Sequence, residues 1–166
     1  MREEERFLAA YDALGDAVFR YIAMRVSSRE VARDLTQETF THTWEYLAKG
    51  KPIENMKPFI FRTAHNLVID HYRAKKEVSL EALAEAGFDP PGATSTDVES
   101  LARGREALVA LAKLDEPYRQ IVTLRYVNDL TIGEIAETLR ISENAVSVAL
   151  HRAHKKLESL LTYGKL

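Results

Sequence analysis

The stretch Thr131-Ile-Gly-Glu-Ile-Ala-Glu-Thr-Leu-Arg140-Ile-Ser-Glu-Asn-Ala-Val-Ser-Val-Ala-Leu150-His-Arg-Ala-His-Lys-Lys-Leu157 reads as two helices joined by a very short turn. Thr131 with Glu134 forms a capping box, after which Ile132, Ile135, Ala136 and Leu139 fall on one face at helical spacing. Arg140 and Ile141 make the turn, Ser142 caps the next helix, and Val146, Leu150, Ala153 and Leu157 continue an apolar stripe. The opposite face carries Asn144, Ser147, His151, Arg152, Lys155 and Lys156, with Val148 beside them. An ordinary αα-hairpin would show the same two stripes. The small Ala136 opposite Val146 and the basic end of the second helix favour a helix-turn-helix that lays this helix in a DNA groove.

With 166 residues the chain is one ordinary domain or two small ones, with globular composition. It contains no cysteine, which excludes disulfides, thiolate nucleophiles and thiolate metal sites. Its histidines (His42, His65, His71, His151 and His154) make no metal-ligand pattern, so no metal or cofactor is expected. No apolar run approaches the roughly 18 residues of a membrane span. The opening Met1-Arg-Glu-Glu-Glu-Arg6 does not resemble a signal peptide, so a cytoplasmic protein without membrane insertion is expected.

A net charge of −2 argues against nucleic acid until it is divided along the chain. Residues 1–76 hold 13 Lys/Arg against 11 Asp/Glu, 77–105 hold 2 against 6, and 106–166 hold 8 of each. Within the last part, 140–166 hold 5 basic and 2 acidic residues, a local +3 on the helix expected to meet DNA and on its tail.

Pro90-Pro91-Gly92, the polar run after it and six carboxylates between Glu77 and Glu99 break the composition at 77–100, which we read as a flexible linker with a short helix at Ser79–Ala86. Helical periodicity dominates both sides and no strand-like alternation persists. The expected fold is all-α, with two small helical domains at 1–76 and 101–166. In the first, helices are predicted at Glu4–Val26, from a Ser27/Glu30 capping box to Leu47, and from Pro58 to Ala74, with a loop at Lys49–Lys57. In the second they fall at Val98–Leu114 and at Glu116–Asn128, the latter capped by Asp115, before the helix-turn-helix.

Two stripes in the first domain carry chemistry. Asp34, Gln37, Glu38, Thr41 and Glu45 share one face of the second helix, which solvation alone would explain. On the third helix, Phe59, Arg62, Asn66, Asp70 and Arg73 align, ahead of Lys75 and Lys76. Aromatic, amide and guanidinium groups together are the chemistry of single-stranded DNA capture: stacking, base-edge hydrogen bonds and phosphate contacts. Phe59 and Phe61 fit a core role equally well.

In their order, Asp34-Leu-Thr-Gln-Glu-Thr-Phe40, Phe59-Ile-Phe-Arg-Thr-Ala-His-Asn66 with Asp70 and Arg73, the acidic linker and the terminal helix-turn-helix resemble the extracytoplasmic-function (group 4) sigma factors of bacterial RNA polymerase. The resemblance covers nearly the whole chain and implies a sigma factor, not an enzyme, that binds core polymerase through the β′ clamp and β flap. It implies that Asp34, Gln37 and Glu38 meet the β′ coiled coil. It assigns the −10 element to the loop Gly50–Met56, including Asn55 and Met56, with Phe59, Arg62, His65, Asn66, Arg73, Lys75 and Lys76. A flipped base read in that loop would couple recognition to melting without nucleotide hydrolysis. The −35 element falls to Asn144, Ser147, Val148, His151, Arg152, Lys155 and Lys156.

The chain departs from the family pattern. Phe59 stands where tryptophan is common, and His65, Ser147, Ala149 and His154 stand where basic residues are frequent. Fewer fixed charges on the last helix imply a weak or unusual −35 reading. Promoter DNA and an anti-sigma factor are the further implied partners. The alternative is a helix-turn-helix regulator without a sigma role.

Overall fold

The computed structural model describes residues 2–74 and 98–163, which form two compact units, all helical. In the first, α1 spans Glu3–Ala23, α2 Arg29–Ala48 and α3 Met56–Ala74, and the three pack pairwise. Glu3, Glu4 and Glu5 open α1, where carboxylates complement the positive end of the helix dipole. The cap of α2 is Ser28 rather than Ser27, since its Oγ accepts from the Val31 amide at 3.4 Å. Two adjacent serines offer the same hydroxyl, and Ser28 is the one that directly precedes the first helical residue, Arg29.

The core of this unit joins Val18, Tyr21 and Ile22 of α1 to Ala32, Leu35 and Phe40 of α2 and to Ile60, Phe61, Ala64 and Val68 of α3. Phe61 is fully buried, edge-on to Tyr21 at 5.7 Å, which makes it a core residue and leaves Phe59 as the one of the two phenylalanines that reaches the surface. Thr39 and Thr43 are also fully buried. Each hydroxyl donates to the carbonyl four residues back, at 2.7 and 2.8 Å, so neither leaves a polar group unmet in the interior.

The second unit contains α4 (Val98–Ala112), α5 (Glu116–Val122), α6 (Ile132–Leu139) and α7 (Glu143–Tyr163). The helix predicted over Glu116–Asn128 stops being α at Val122 and continues as one π turn, Thr123–Val127. The turn is closed by the Asn128 amide donating to the Thr123 carbonyl at 3.1 Å. The chain then reverses through Asp129 in the left-handed region (φ 54°), while Arg125 donates to the Leu130 carbonyl at 3.0 Å and Leu130 is buried. Apolar spacing carries no mark of this change, because the π turn is the last turn of the helix and no further helical stripe follows it to show the shifted register.

Asp115 starts α5 with its backbone and not with its carboxylate. Its carbonyl accepts from the Tyr118 and Arg119 amides at 3.0 Å each, while its side chain is engaged elsewhere. At the helix-turn-helix the expected capping chemistry is present. Thr131 Oγ1 accepts from the Glu134 amide at 3.1 Å, the Glu134 carboxylate accepts from the Thr131 amide at 2.8 Å, and Ser142 Oγ accepts from the Ala145 amide at 3.0 Å. Ile135, Ala136, Val146, Leu150 and Ala153 are buried with Leu124 and Leu130, and α7 packs on α4 and α5. Lys75, Lys76, the short helix predicted at 79–86 and the linker as far as residue 97 lie outside the described residues.

Candidate nucleic-acid interface

On α3, Phe59 and Arg62 are half-buried and Asn66, Asp70 and Arg73 are exposed along one line, as the spacing implied. The structure adds two residues to it. The Phe59 ring lies 4.8 Å from that of Tyr46, the Arg62 guanidinium sits 5.3 Å from the Phe59 ring, and Lys51 Nζ sits 5.3 Å from the Tyr46 ring. Two aromatic rings are thus flanked by two cations, each contact worth roughly 0.5–1 kcal/mol at an exposed site. Such a row offers faces for stacking and charges for phosphate together. Tyr46, at the end of α2, escaped the sequence reading, and Lys51 entered it only as part of the loop Gly50–Met56. Only the fold brings them to Phe59.

The loop between α2 and α3 is pinned. Gly50 adopts φ 74°, a conformation that glycine takes without a Cβ penalty, and Ile53 is buried. Arg6 of α1, paired with Glu3 at 2.9 Å, donates to the carbonyls of Ile53 at 2.9 Å and Glu54 at 3.0 Å. These bonds fix the backbone just ahead of the exposed Asn55 and of Met56, the first residue of α3. His65 is half-buried and faces the end of α1 and the turn after it, where its Nδ1 accepts from Arg25 at 2.9 Å beside the Tyr21 hydroxyl at 3.3 Å. A guanidinium can only donate, so the ring hydrogen belongs on Nε2.

Asp34, Gln37 and Glu38 are all exposed on α2. The same unit exposes apolar side chains that periodicity would place in a core: Leu8 is 59% exposed, Tyr11 50% and Trp44 40%. Phe7 joins Tyr11 and Trp44 at centroid distances of 6.5 and 5.2 Å, and Tyr11 stands edge-on to Phe40 at 4.9 Å. The counting of helical faces assigns such residues to a core. Gln37 lines a shallow surface cleft with Tyr11 and Phe40, so the polar stripe of α2 meets this aromatic cluster there.

In the second unit Asn144, Ser147, Val148, His151, Arg152, Lys155 and Lys156 are all exposed on α7. They are not equally available. Lys156 donates to the Asp115 carboxylate at 2.9 Å and lies 4.6 Å from the Tyr118 ring, and that hydrogen bond raises its pKa above the usual 10.5. His154 shares a 2.6 Å hydrogen bond with the Tyr126 hydroxyl of the π turn. Arg140, in the turn before α7, is left-handed at φ 56°. Ala145 and Ala149, absent from the sequence-based set, share the outward surface with Val148.

Among the described residues no helix is long and apolar enough to cross a membrane, and no cluster of His, Cys, Asp and Glu has the arrangement of a metal site. Comparison with known proteins gives two family matches in chain order: sigma-70 region 2 at residues 10–78 and sigma-70 region 4 at residues 104–157. The extracytoplasmic-function RNA polymerase sigma factor BldN of Streptomyces coelicolor is 29% identical over 166 residues, covering 96% of this chain, which spans 61% of BldN. The corresponding factor SigM of Bacillus subtilis is 27% identical over 160 residues, with 93% of this chain and 94% of SigM covered.

Two solved structures share the fold. CnrH in complex with the cytosolic domain of CnrY matches with a TM-score of 0.70 at 21% identity, over 97% of this chain and 90% of that one. The sigma factor RpoE in complex with the anti-sigma factor NepR from Bartonella quintana matches with a TM-score of 0.71 at 18% identity, over 95% and 98%. A helical unit with an aromatic and cationic face, a second with a capped helix-turn-helix, and both region matches in the same order lead to one conclusion: the chain belongs to the sigma-70 family, in its extracytoplasmic-function branch.

Proposed function

We propose that this protein is a promoter-specificity subunit of bacterial RNA polymerase, with residues 1–76 serving as region 2, 77–100 as linker and 101–166 as region 4. It binds core polymerase, captures the −10 non-template strand with the first unit and reads the −35 duplex with α7. The single observation that carries the reading is the presence in one chain of two different nucleic-acid chemistries. The row Lys51, Tyr46, Phe59 and Arg62 suits unstacked bases, while the exposed polar face of α7 suits the edges of a duplex.

Asp34, Gln37 and Glu38 are assigned to the β′ clamp. Asn55, Met56, Asn66, Arg62, His65 and Arg73 are assigned to the −10 strand, together with Lys75 and Lys76, which follow in the sequence. Asn144, Ser147, Val148, His151, Arg152 and Lys155 are assigned to the −35 element, and Lys156 supports them through Asp115. An anti-sigma factor is the natural antagonist, since the two structures described above are of binary complexes, one of them named as sigma with anti-sigma.

No catalytic step is assigned to the chain. Its binding energy is spent on unstacking bases, a few kcal/mol per step, which pocket contacts and phosphate contacts must offset. The test is transcription by core polymerase with and without the protein over a promoter library randomised at both elements. Transcripts that start at fixed sites only when the protein is present are the expected result. Specific duplex binding without polymerase, and no start-site selection with it, would refute the reading.

A further inference from the structure

We propose that α7 reads its duplex through thymine methyl groups, which seat on an apolar step made by Ala145, Val148 and Ala149; this rests on the sigma reading above. Ala145 and Val148 are exposed and Ala149 is half-exposed, at the i, i+3, i+4 spacing that makes one continuous surface. Val148 is 40% exposed although it lies between two residues with polar or cationic heads, Asn144 and Arg152, one turn away on either side. The step borders a groove of about 560 Å³ whose other wall is Pro117 and Tyr118 of α5.

The surroundings favour a nucleic acid over a protein as the occupant. Asp115, the acidic group at the groove edge, is paired with Lys156, so it does not present an uncompensated carboxylate to a phosphate backbone. Arg152 and Lys155 flank the step on the same exposed helix, within the segment of net charge +3. In the major groove the thymine C5-methyl is the apolar group that a base edge presents, and a side chain without donors or acceptors has nothing else to recognise there. Asn144 and Arg152 then frame the methyls with an amide suited to adenine and a guanidinium suited to guanine. The small number of fixed charges on α7 is, on this account, a change of readout rather than a loss of it.

The experiment uses holoenzyme formed from the full chain and core polymerase. The −35 element is first selected from a randomised library, and each thymidine of the selected element is then replaced by deoxyuridine, which removes one methyl and keeps every hydrogen-bonding group. At one or more positions, promoter occupancy should fall about three- to fourfold, the worth of one buried methyl. In the Val148→Ser/Ala149→Ser double variant, deoxyuridine and thymidine should bind alike at those positions, and Val148→Thr, which keeps a methyl, should preserve the discrimination. Selected elements without a thymine requirement, or discrimination that persists unchanged in the serine variant, overturn the inference. So does a serine variant that loses affinity for core polymerase while its thymidine to deoxyuridine ratio stays fixed, since the step would then be a protein contact. Wild-type protein that directs initiation from no library promoter defeats the sigma reading itself, a result distinguishable from all of these.

Discussion

Single side chains decide how charge is used on each face. Asp34 and Glu38 lie one turn apart and exposed, so neither stabilises the fold by burial, and each contributes about 1 kcal/mol at most to a partner surface. Asp34→Ala with Glu38→Ala should therefore weaken core-polymerase binding by about one order of magnitude, with unchanged helicity and thermal unfolding. Unaltered polymerase affinity would remove the clamp assignment. Arg152 is the fixed cation at the centre of the outward face of α7. If it reads guanine, Arg152→Ala relaxes selectivity at one −35 base and costs about 1–3 kcal/mol; if it holds phosphate, all promoters weaken alike and the salt slope falls by about one. A variant with wild-type activity on every promoter would show that α7 meets DNA by another face. These residues were legible from spacing, because exposed polar positions on an amphipathic helix can be counted. The partners of Lys156, His65 and Phe59 were not, since Asp115, Arg25 and Tyr46 come from other elements.

Elements were legible where periodicity and capping agree, and lost where backbone geometry changes without a change in pattern. The capping box at Thr131 and Glu134 and the cap at Ser142 are local chemistry, complete within four residues, and both are formed. The π turn and the Ser28 cap depend on one-residue register, which apolar spacing does not resolve. The loop before α3 shows a further limit: its sequence announced a turn, but its anchorage by Arg6 spans 47 residues to the Ile53 carbonyl. Since α1 holds that loop by two backbone carbonyls, its exposed side chains can change without loss of its path provided that Gly50 and the buried Ile53 are kept. Exchanging Gly50–Met56 for the loop of another sigma factor should move the preferred −10 bases while polymerase binding persists, and Asn66→Ala should change the same preference. Transcription from promoters varied at each −10 position measures both, and identical preferences throughout would place recognition elsewhere on α3. Arg140, left-handed in the turn before α7, costs roughly 1 kcal/mol relative to glycine. Arg140→Gly should raise the free energy of unfolding measured in urea by that amount; a lower value would mean that the side chain contributes more than the conformation costs.

At the scale of the molecule, net charge proved a poor guide and its distribution a good one. A total of −2 coexists with +3 over residues 140–166, and the excess of carboxylates falls in 77–105. Burial likewise divides: Tyr21, Ile60 and Phe61 serve one core, and Leu124, Leu130 and Val146 serve another. Two small cores in one chain of this length leave much surface for partners, and that is where the sequence reading was least complete. Leu8, Tyr11 and Trp44 look like interior residues by type and spacing, but the fold leaves them outside. Only the packing of the helices separates an apolar face that meets the core from one that stays exposed.

The π turn at Thr123–Val127 bears on how this chain tolerates changes in length. Losing one residue from an α-helix rotates everything beyond it by about 100° and misplaces an entire buried stripe. A π turn already holds one residue more than an α turn needs, so a single in-frame codon deletion there converts π geometry to α and leaves the flanking helices in register. In a scan of one-codon deletions across α5 to α7, survivors should cluster at 123–127, with deletions in α6 and α7 losing promoter-dependent transcription. An even spread of survivors, or none at 123–127, would contradict this. The turn is thus a site where gene length can drift without the protein losing its shape.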